Sequence, residues 1–167
     1  TANWSRVIRP YAADLMETIR AIDADNLIVV GTRSWSQDVD EAAKEPLPSD
    51  SALAYTLHFY AGTHRDSLRD KARAAIDTGL PLLVTEWGAI EANGDGVADL
   101  AETERWMAFL RKHQLTHCNW SLHSKGEGAS ILRPHTPADG NWTASDLTVT
   151  GRLTTGIMRT WHDRQYG

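Results

Sequence analysis

The 167-residue sequence predicts an α/β fold in which a parallel sheet alternates with helices. Segments with helical periodicity alternate with short apolar runs, and this pattern occurs four times before a last helix closes the chain. No low-complexity stretch or linker interrupts the pattern. We therefore expect four parallel strands joined by right-handed crossovers.

The individual elements are predicted in order from the N-terminus. Apolar residues recur at helical spacing from Trp4 to Ile22, which predicts one amphipathic helix that stops at the DADN turn. The runs NLIVVG, LAYTLHF, LPLLVTEWG and THCNWSL predict the strands, and the first has the pattern of a strand buried on both faces. The remaining helices are expected over residues 37–44, 66–78, 100–113 and 151–164.

Composition limits the classes of partner. The net charge is −5 and basic residues are scattered, so neither nucleic acid nor anionic lipid is an expected partner. No apolar run approaches the roughly 18 residues of a membrane span, and the first ten residues lack the pattern of a signal peptide. Cys118 is the only cysteine, so no intrachain disulfide forms. The length predicts a single domain over residues 1–167.

Polar segments follow the carboxyl end of each predicted strand. They read GTRSWSQD, HFYAGTH, EWGAIEANGDG and NWSLHSKGEG, and this edge is where parallel sheets and β/α barrels bind ligands. No glycine-rich nucleotide motif follows a strand. Aromatic rings stack on sugar faces, while carboxylates, histidine and lysine bond sugar hydroxyls. The mixture therefore favours a carbohydrate cleft.

Glu86 is the residue that most needs an explanation. It ends the apolar run LLVT, where the strand is expected to be buried. An unpaired buried carboxylate costs several kcal/mol. A functional role or a specific partner is therefore expected for this side chain.

The stretches GTRSWSQDV, YTLHFYAGTH, LLVTEWGA and NWSLHSKGE, in this order and spacing, resemble the C-terminal half of bacterial endoglucanases (cellulases) of glycoside hydrolase family 5. The resemblance runs nearly end to end. It implies strands five to eight, with their helices, of a (β/α)8 TIM barrel. It also implies retaining hydrolysis of β-1,4-glucan by a secreted or periplasmic enzyme. We expect no cofactor and no metal ion.

The resemblance assigns catalytic roles to three residues. Glu86 matches the nucleophile at the end of strand seven, which forms a glycosyl-enzyme that water later hydrolyses. His58 and Tyr60 match the strand-six pair around the nucleophile. A hydrogen bond from the Tyr60 hydroxyl would hold the Glu86 carboxylate and favour its ionised form.

The resemblance also assigns glucan contacts to four residues. Trp120 matches the aromatic platform under the sugar beside the cleaved bond, and Trp35 matches another aromatic residue of the cleft. Lys125 and Glu127 match polar contacts on the non-reducing side. Trp142 is equally compatible with a cleft contact and with a cover for the barrel rim.

Each assignment has an ordinary structural alternative. Glu86 could cap a turn or form an ion pair, and His58 could be a hydrogen-bonded core histidine. Lys125 and Glu127 could be solvated charges in a glycine-rich loop. Five further polar residues match no role and are expected at the surface or behind the site: His64, His117, His123, Glu91 and Asp95.

One catalytic group is missing from the sequence. Retaining hydrolysis needs a second carboxyl group about 5 to 5.5 Å from the nucleophile. In the family, an Asn-Glu-Pro motif at the end of strand four supplies it, and the motif does not occur here. The opening TANWSRVIRPYA resembles the helix that follows strand four. We therefore expect the N-terminal half of the same enzyme, as a separate chain, to complete the barrel around the β-glucan or cello-oligosaccharide substrate.

Two other functions stay open at the level of sequence. A noncatalytic glucan-binding fragment would keep the aromatic platforms without the acid. A metal-dependent hydrolase on the same barrel would use His58, His117 or Glu86 as ligands, although neither His-x-His nor His-Glu-x-x-His occurs.

Overall fold

The computed structural model describes residues 2–166, and describes side chains as far as Trp161. A π-helical segment (Trp4–Ile8) runs directly into the first helix. The helices are α1 (Arg9–Arg20), α2 (Arg33–Ser36), α3 (Val39–Lys44), α4 (Asp66–Asp77), α5 (Leu100–Lys112) and α6 (Val149–Tyr166). The strands are β1 (Ile28–Val30), β2 (Leu53–Tyr60), β3 (Leu82–Gly88) and β4 (His117–Asn119). None of the helices in the described part is long and apolar enough to cross a membrane.

The four strands form one parallel sheet in the order β1-β2-β3-β4, which confirms the predicted α/β class. Ile28 lies opposite Leu53 and Val30 lies opposite Tyr55 in the parallel β1–β2 pair. Because each strand neighbours the next one in the chain and helices fill most connections, the carboxyl ends of the strands lie at one edge of the sheet.

The chain divides into two compact units. The first contains the chain up to His58 together with Asp66–Thr85, and the second contains Phe59–Arg65 together with the chain from Glu86 onward. In the first unit, Trp4 is buried and its indole N–H donates to the Glu45 carbonyl at 2.9 Å.

The core of the second unit is aromatic. Phe59 stacks on Trp106 with ring centroids 3.9 Å apart, and on Trp87 at 6.0 Å. The Trp106 indole N–H donates to the His64 carbonyl at 2.8 Å, so the α5 helix is tied to the loop after β2. Burial of these large rings supplies much of the apolar area that stabilises this unit.

Several boundaries differ from the sequence predictions. The helix expected over residues 37–44 is the shorter α3, because residues 33–36 form a separate turn in which residues 34–36 have left-handed backbone angles. β4 ends at Asn119, before the predicted Trp120 and Ser121. The expectation that β1 is buried on both faces is wrong for this chain, because β1 is an edge strand and two of its three residues are only half-buried.

Much of the predicted apolar face of the first helix is exposed. Val7, Tyr11, Leu15, Ile19 and Ile22 recur at helical spacing as predicted, and all five are exposed. Beside them, α1 and β1 line an apolar groove of about 250 Å³. An exposed apolar face of this extent is characteristic of an interaction surface.

Candidate active site

The Tyr60 and Glu86 side chains meet at the carboxyl ends of β2 and β3. The Tyr60 hydroxyl donates to Glu86 Oε1 at 2.9 Å, and both residues are half-buried. The expected hydrogen bond is therefore present. It restrains one carboxylate oxygen and leaves Glu86 partly open to solvent.

The Tyr60 phenol remains a donor at any working pH. Burial raises its pKa, and the hydrogen bond and negative charge of Glu86 raise the pKa further. The charge of Glu127 acts in the same direction. A protonated phenol donates a hydrogen bond to the Glu86 carboxylate and carries no negative charge that would repel it.

The burial pattern of β3 departs from regular alternation at Glu86. Buried and half-buried residues alternate along β3 until Thr85 and Glu86, which are both half-buried, and Trp87 and Gly88 are then both buried. Gly88 is needed for close approach, because a Cβ there would lie 2.5 Å from Cδ1 of Tyr60. The absence of a side chain at residue 88 lets the Tyr60 ring lie against the backbone that follows the carboxylate.

His58 makes a different contact from that of Tyr60. Its Nε2 lies 2.8 Å from the Thr85 hydroxyl, and that hydroxyl also makes a close contact with the Thr56 hydroxyl. His58 is therefore a hydrogen-bonded, half-buried residue within the first unit. Its assignment as a catalytic residue stays a prediction.

Trp120 is held beside the strand that carries Glu86. The Trp120 backbone N–H and the Asn119 side-chain amide both donate to the Trp87 carbonyl, at 2.8 and 3.0 Å. The Trp120 side chain is 48% exposed, whereas Trp87 is fully buried. Of these two tryptophans, only Trp120 can offer a ring face to a ligand.

Lys125 and Glu127 form an ion pair, with Lys125 Nζ 2.6 Å from Glu127 Oε2. Two residues outside the predicted site hold their loop. His123 Nδ1 accepts from the Lys125 backbone N–H at 3.2 Å, and Ser130 Oγ accepts from the Glu127 N–H at 3.2 Å. The loop is therefore organised by hydrogen bonds, and the Lys125 side chain at its surface is 72% exposed, as expected for a solvated charge.

Glu91 and Asp95 brace the neighbouring loops. Glu91 Oε2 accepts from the Thr63 hydroxyl at 2.7 Å, and Asp95 Oδ1 accepts from the Gly128 N–H at 3.0 Å. A Cβ at Gly128 would meet the Gly96 carbonyl oxygen at 2.7 Å. In the sequence, only Gly96 and Gly128 indicate that these two loops pack closely.

The other two predicted aromatic residues lie in different settings. Trp35 is 85% exposed, on the turn after β1. Trp142 donates its indole N–H to the Pro137 carbonyl at 2.6 Å, within its own loop. This contact favours a role in organising the loop for Trp142, whereas Trp35 is available to a ligand.

Coordination of a metal ion was the alternative role for His58, His117 and Glu86. Within the described part of the chain, no group of three or more histidine, cysteine, aspartate or glutamate side chains could hold a metal ion. His117, one of the suggested ligands, accepts a hydrogen bond from the Trp87 indole at 3.0 Å through Nδ1.

The surroundings of His117 predict that the stability of the fold depends on pH. Its ring packs edge-on against Trp161 at 4.2 Å between centroids. Burial lowers the pKa of His117 from 6.5 to about 4, and the charge of Arg111 acts in the same direction. The unfolded chain therefore takes up a proton at a higher pH than the folded chain.

We expect the free energy of unfolding to decrease as the pH falls from about 6.5 to about 4, by roughly 2 kcal/mol after allowance for the partial exposure of His117. Urea unfolding at several pH values within this window measures the slope. His117→Asn keeps an acceptor for the Trp87 indole but does not titrate, so its slope is expected to be shallower. The exposed His135, replaced by Asn, is the matched control and is expected to leave the slope unchanged. Equal slopes for the parent and His117→Asn would contradict the assignment.

Sequence comparison identifies relatives along most of the chain. The cellulase family (glycosyl hydrolase family 5) matches residues 1–126. Endoglucanase Z of Dickeya dadantii (strain 3937) is 46% identical over 159 residues, which cover 95% of this chain and 35% of that protein. The chain therefore spans about a third of the length of this relative.

Two solved structures share the fold. A structure from Cytophaga hutchinsonii is 42% identical with a TM-score of 0.93, and the match covers 98% of this chain and 53% of that one. The catalytic domain of Thermobifida fusca endoglucanase Cel5A, in a substituted form in complex with cellotetraose, is 28% identical with a TM-score of 0.88, and the match covers 95% of this chain and 53% of that one. The predicted half of a (β/α)8 barrel is thereby confirmed. Because the family matches most of the chain and the fold agrees throughout, the chain belongs to glycosyl hydrolase family 5, the cellulase family.

Proposed function

We propose that the chain is the C-terminal half of the catalytic domain of a retaining endo-β-1,4-glucanase, with Glu86 as the nucleophile. The observation that carries the proposal is the 2.9 Å hydrogen bond from Tyr60 to Glu86 at the ligand-binding edge of the sheet. It restrains one carboxylate oxygen while the side chain stays accessible. A nucleophilic carboxylate needs this combination of fixed position and partial exposure.

The substrate in this proposal is β-1,4-glucan or a cello-oligosaccharide. Trp120 and Trp35 expose ring faces that can stack on sugar rings. The Lys125–Glu127 pair offers a donor and acceptors for sugar hydroxyls. The cellotetraose bound to the Thermobifida fusca domain supports the same class of ligand.

In the proposed mechanism, one oxygen of Glu86 attacks the anomeric carbon while a separate carboxylic acid protonates the leaving oxygen. A glycosyl ester of Glu86 forms, and the shortened glucan departs. The second carboxyl group then removes a proton from water, and the water oxygen displaces Glu86 with net retention. Tyr60 keeps one oxygen of Glu86 in place through both steps.

The acid and base role falls to a carboxyl group outside these 167 residues. We propose that the N-terminal half of the same enzyme supplies it, as a separate chain, and closes the barrel. The exposed apolar residues of α1 and the groove of about 250 Å³ beside β1 support a covering segment at this edge. Because polymeric glucan is met outside the cytoplasm, we propose a secreted or periplasmic enzyme.

The proposal is tested by combining this chain with a chain that carries the Asn-Glu-Pro half. We expect the mixture to release reducing sugar from carboxymethylcellulose and each half alone to release none, because hydrolysis needs both carboxyl groups. Proton NMR of the first product from cellopentaose is expected to show the retained anomer. Replacing the glutamate of Asn-Glu-Pro by glutamine is the control and is expected to abolish release.

The outcomes separate the alternatives. Hydrolysis by the 167 residues alone would contradict the need for a second half. Binding of carboxymethylcellulose by the complete assembly without release of sugar would instead support a noncatalytic glucan-binding function. Mass spectrometry of the protein from its source tests whether the second half is a separate chain.

A further inference from the structure

Three consecutive residues after β1 adopt a left-handed backbone conformation. The φ angles are 56° at Ser34, 53° at Trp35 and 63° at Ser36. The turn is closed by backbone hydrogen bonds from Ser36 N–H to the Thr32 carbonyl and from Gln37 N–H to the Arg33 carbonyl, both 3.2 Å long. Residues other than glycine are strained in the left-handed region of φ and ψ, and consecutive residues in this region are rare.

The sequence places no glycine in the turn to relieve this strain. None of the three residues is glycine, although glycine would adopt the conformation without a steric penalty. Strained residues persist only where the surrounding structure determines them, and they concentrate at functional sites. The contacts that hold the turn therefore deserve a functional explanation.

Asp38 makes those contacts. Its Oδ2 accepts hydrogen bonds from the Ser34 hydroxyl at 2.6 Å and from Arg33 Nε at 2.9 Å. Its Oδ1 accepts from Lys71 Nζ of α4 at 2.6 Å. The carboxylate thus links the first two residues of the turn to a helix of the same unit.

The Asp38 carboxylate is suited to a permanent structural connection. Its side chain is 6% exposed. Burial by itself would raise the pKa of Asp38, but hydrogen bonds from Lys71, Ser34 and Arg33 outweigh burial and lower the pKa to about 2. Asp38 is therefore ionised, and its contacts persist, across the working range of a folded protein.

The turn presents Trp35 to solvent. Trp35 lies at its centre and is 85% exposed, although an indole ring is among the most favourable groups to bury. Its own packing therefore does not explain the strained backbone. A role of the exposed ring face in binding a ligand explains why the strained backbone is kept.

We propose that Asp38 is a positioning residue that holds the left-handed turn so that the Trp35 ring is preorganised for stacking on a sugar of the glucan chain. This inference rests on the proposed function through the role of Trp35. Preorganisation lowers the entropic cost of binding, so its loss weakens binding without touching the reacting atoms.

The test uses the protein that carries both halves of the barrel, with Asp38→Asn, Trp35→Ala and the double variant. We expect Asp38→Asn and Trp35→Ala each to raise KM for cellopentaose by about tenfold with kcat changed less than about twofold. In the Trp35→Ala background, Asp38→Asn is expected to add no further loss, because the two residues act as one unit. Additive losses would overturn the inference.

Fluorine NMR of protein labelled with 5-fluorotryptophan reads the position of the ring directly. The Trp35 resonance is identified by its loss in Trp35→Ala. We expect Asp38→Asn to shift or broaden this resonance and to leave the Trp120 resonance in place. Asp70→Asn is the matched control, because Asp70 pairs with Arg73 on the surface of α4 and lies outside the turn. It is expected to change neither KM nor the resonance.

The outcomes distinguish this inference from the proposed function. A parental KM for Trp35→Ala would show that Trp35 does not bind glucan and would overturn the inference, while hydrolysis of cellopentaose by the same protein would leave the proposed function in place. An unmoved Trp35 resonance in Asp38→Asn would also overturn the inference. If Asp38→Asn folds poorly, Ser34→Ala removes one hydrogen bond and keeps the Asp38–Lys71 pair. Its effects are expected in the same direction and smaller.

Discussion

In the enzyme assembled from both halves of the barrel, Glu86→Gln is expected to lower turnover of glucan by about 10³-fold or more while glucan affinity changes little. Glutamine keeps the length and shape of the side chain, and its carbonyl oxygen can still accept the Tyr60 hydrogen bond. The neutral amide, however, cannot displace a leaving group to form a glycosyl ester. The lost interaction belongs to the transition state and the covalent intermediate, so kcat is expected to fall and KM is not expected to rise.

Covalent labelling identifies the nucleophile independently of rates. A 2-deoxy-2-fluoro glycoside is expected to label Glu86 in the parent enzyme, and peptide mapping locates the label. Glu91→Gln is the matched control, because Glu91 is an exposed glutamate five positions later that bonds Thr63. It is expected to leave labelling and turnover near the parental level. A label on another residue, or near-parental turnover of Glu86→Gln, would make Glu86 a structural carboxylate.

Gly88→Ala is expected to lower kcat/KM by about 100-fold, because a small displacement of a catalytic constellation has effects of this size. The added Cβ would lie 2.5 Å from Cδ1 and 2.6 Å from Cε1 of Tyr60, so the ring has to move. A displaced ring breaks the 2.9 Å hydrogen bond to Glu86. The carboxylate then loses the contact that fixes its direction of attack.

Two variants separate this explanation from general damage to the fold. Tyr60→Phe removes the same hydrogen bond without crowding, and we expect a loss of similar size that Gly88→Ala does not increase further. Gly156→Ala in α6 is the matched control, because a Cβ there meets nothing within 4 Å. It is expected to be neutral or slightly stabilising. Near-parental activity of Gly88→Ala, in protein whose free energy of unfolding is unchanged, would show that the Tyr60 contact does not matter for catalysis.

The fold was predictable because the pattern that encodes it is local. The strands β1, β2 and β3 contain apolar runs of a few residues, and each long helix has its own apolar periodicity. The Tyr60–Glu86 contact was predicted from the resemblance to the family, and the fold allows it because the two residues lie near the carboxyl ends of the neighbouring strands β2 and β3. Element ends were less predictable, as the early end of β4 at Asn119 shows.

The tryptophans illustrate where local pattern fails. Trp87 and Trp120 both lie near the carboxyl end of a strand in similar sequence, EWG and NWS, yet Trp87 is fully buried and Trp120 is 48% exposed. Phe59 and His117 decide this difference, because they contact the Trp87 ring from distant parts of the chain. The residues next to either tryptophan in the sequence do not reveal these contacts.

The sequence by itself determined the class of fold, the family and the identity of the candidate nucleophile, because apolar periodicity and short motifs lie within single elements. Only the tertiary structure decided which polar side chains form hydrogen bonds or ion pairs with one another. It brought Lys71 of α4 to Asp38, and thereby stabilised a left-handed turn that contains no glycine. It also made Gly88 necessary, because the Tyr60 ring fills the space of a Cβ. Such contacts depend on distances between residues far apart in the chain, and those distances exist only once the sheet and helices have packed.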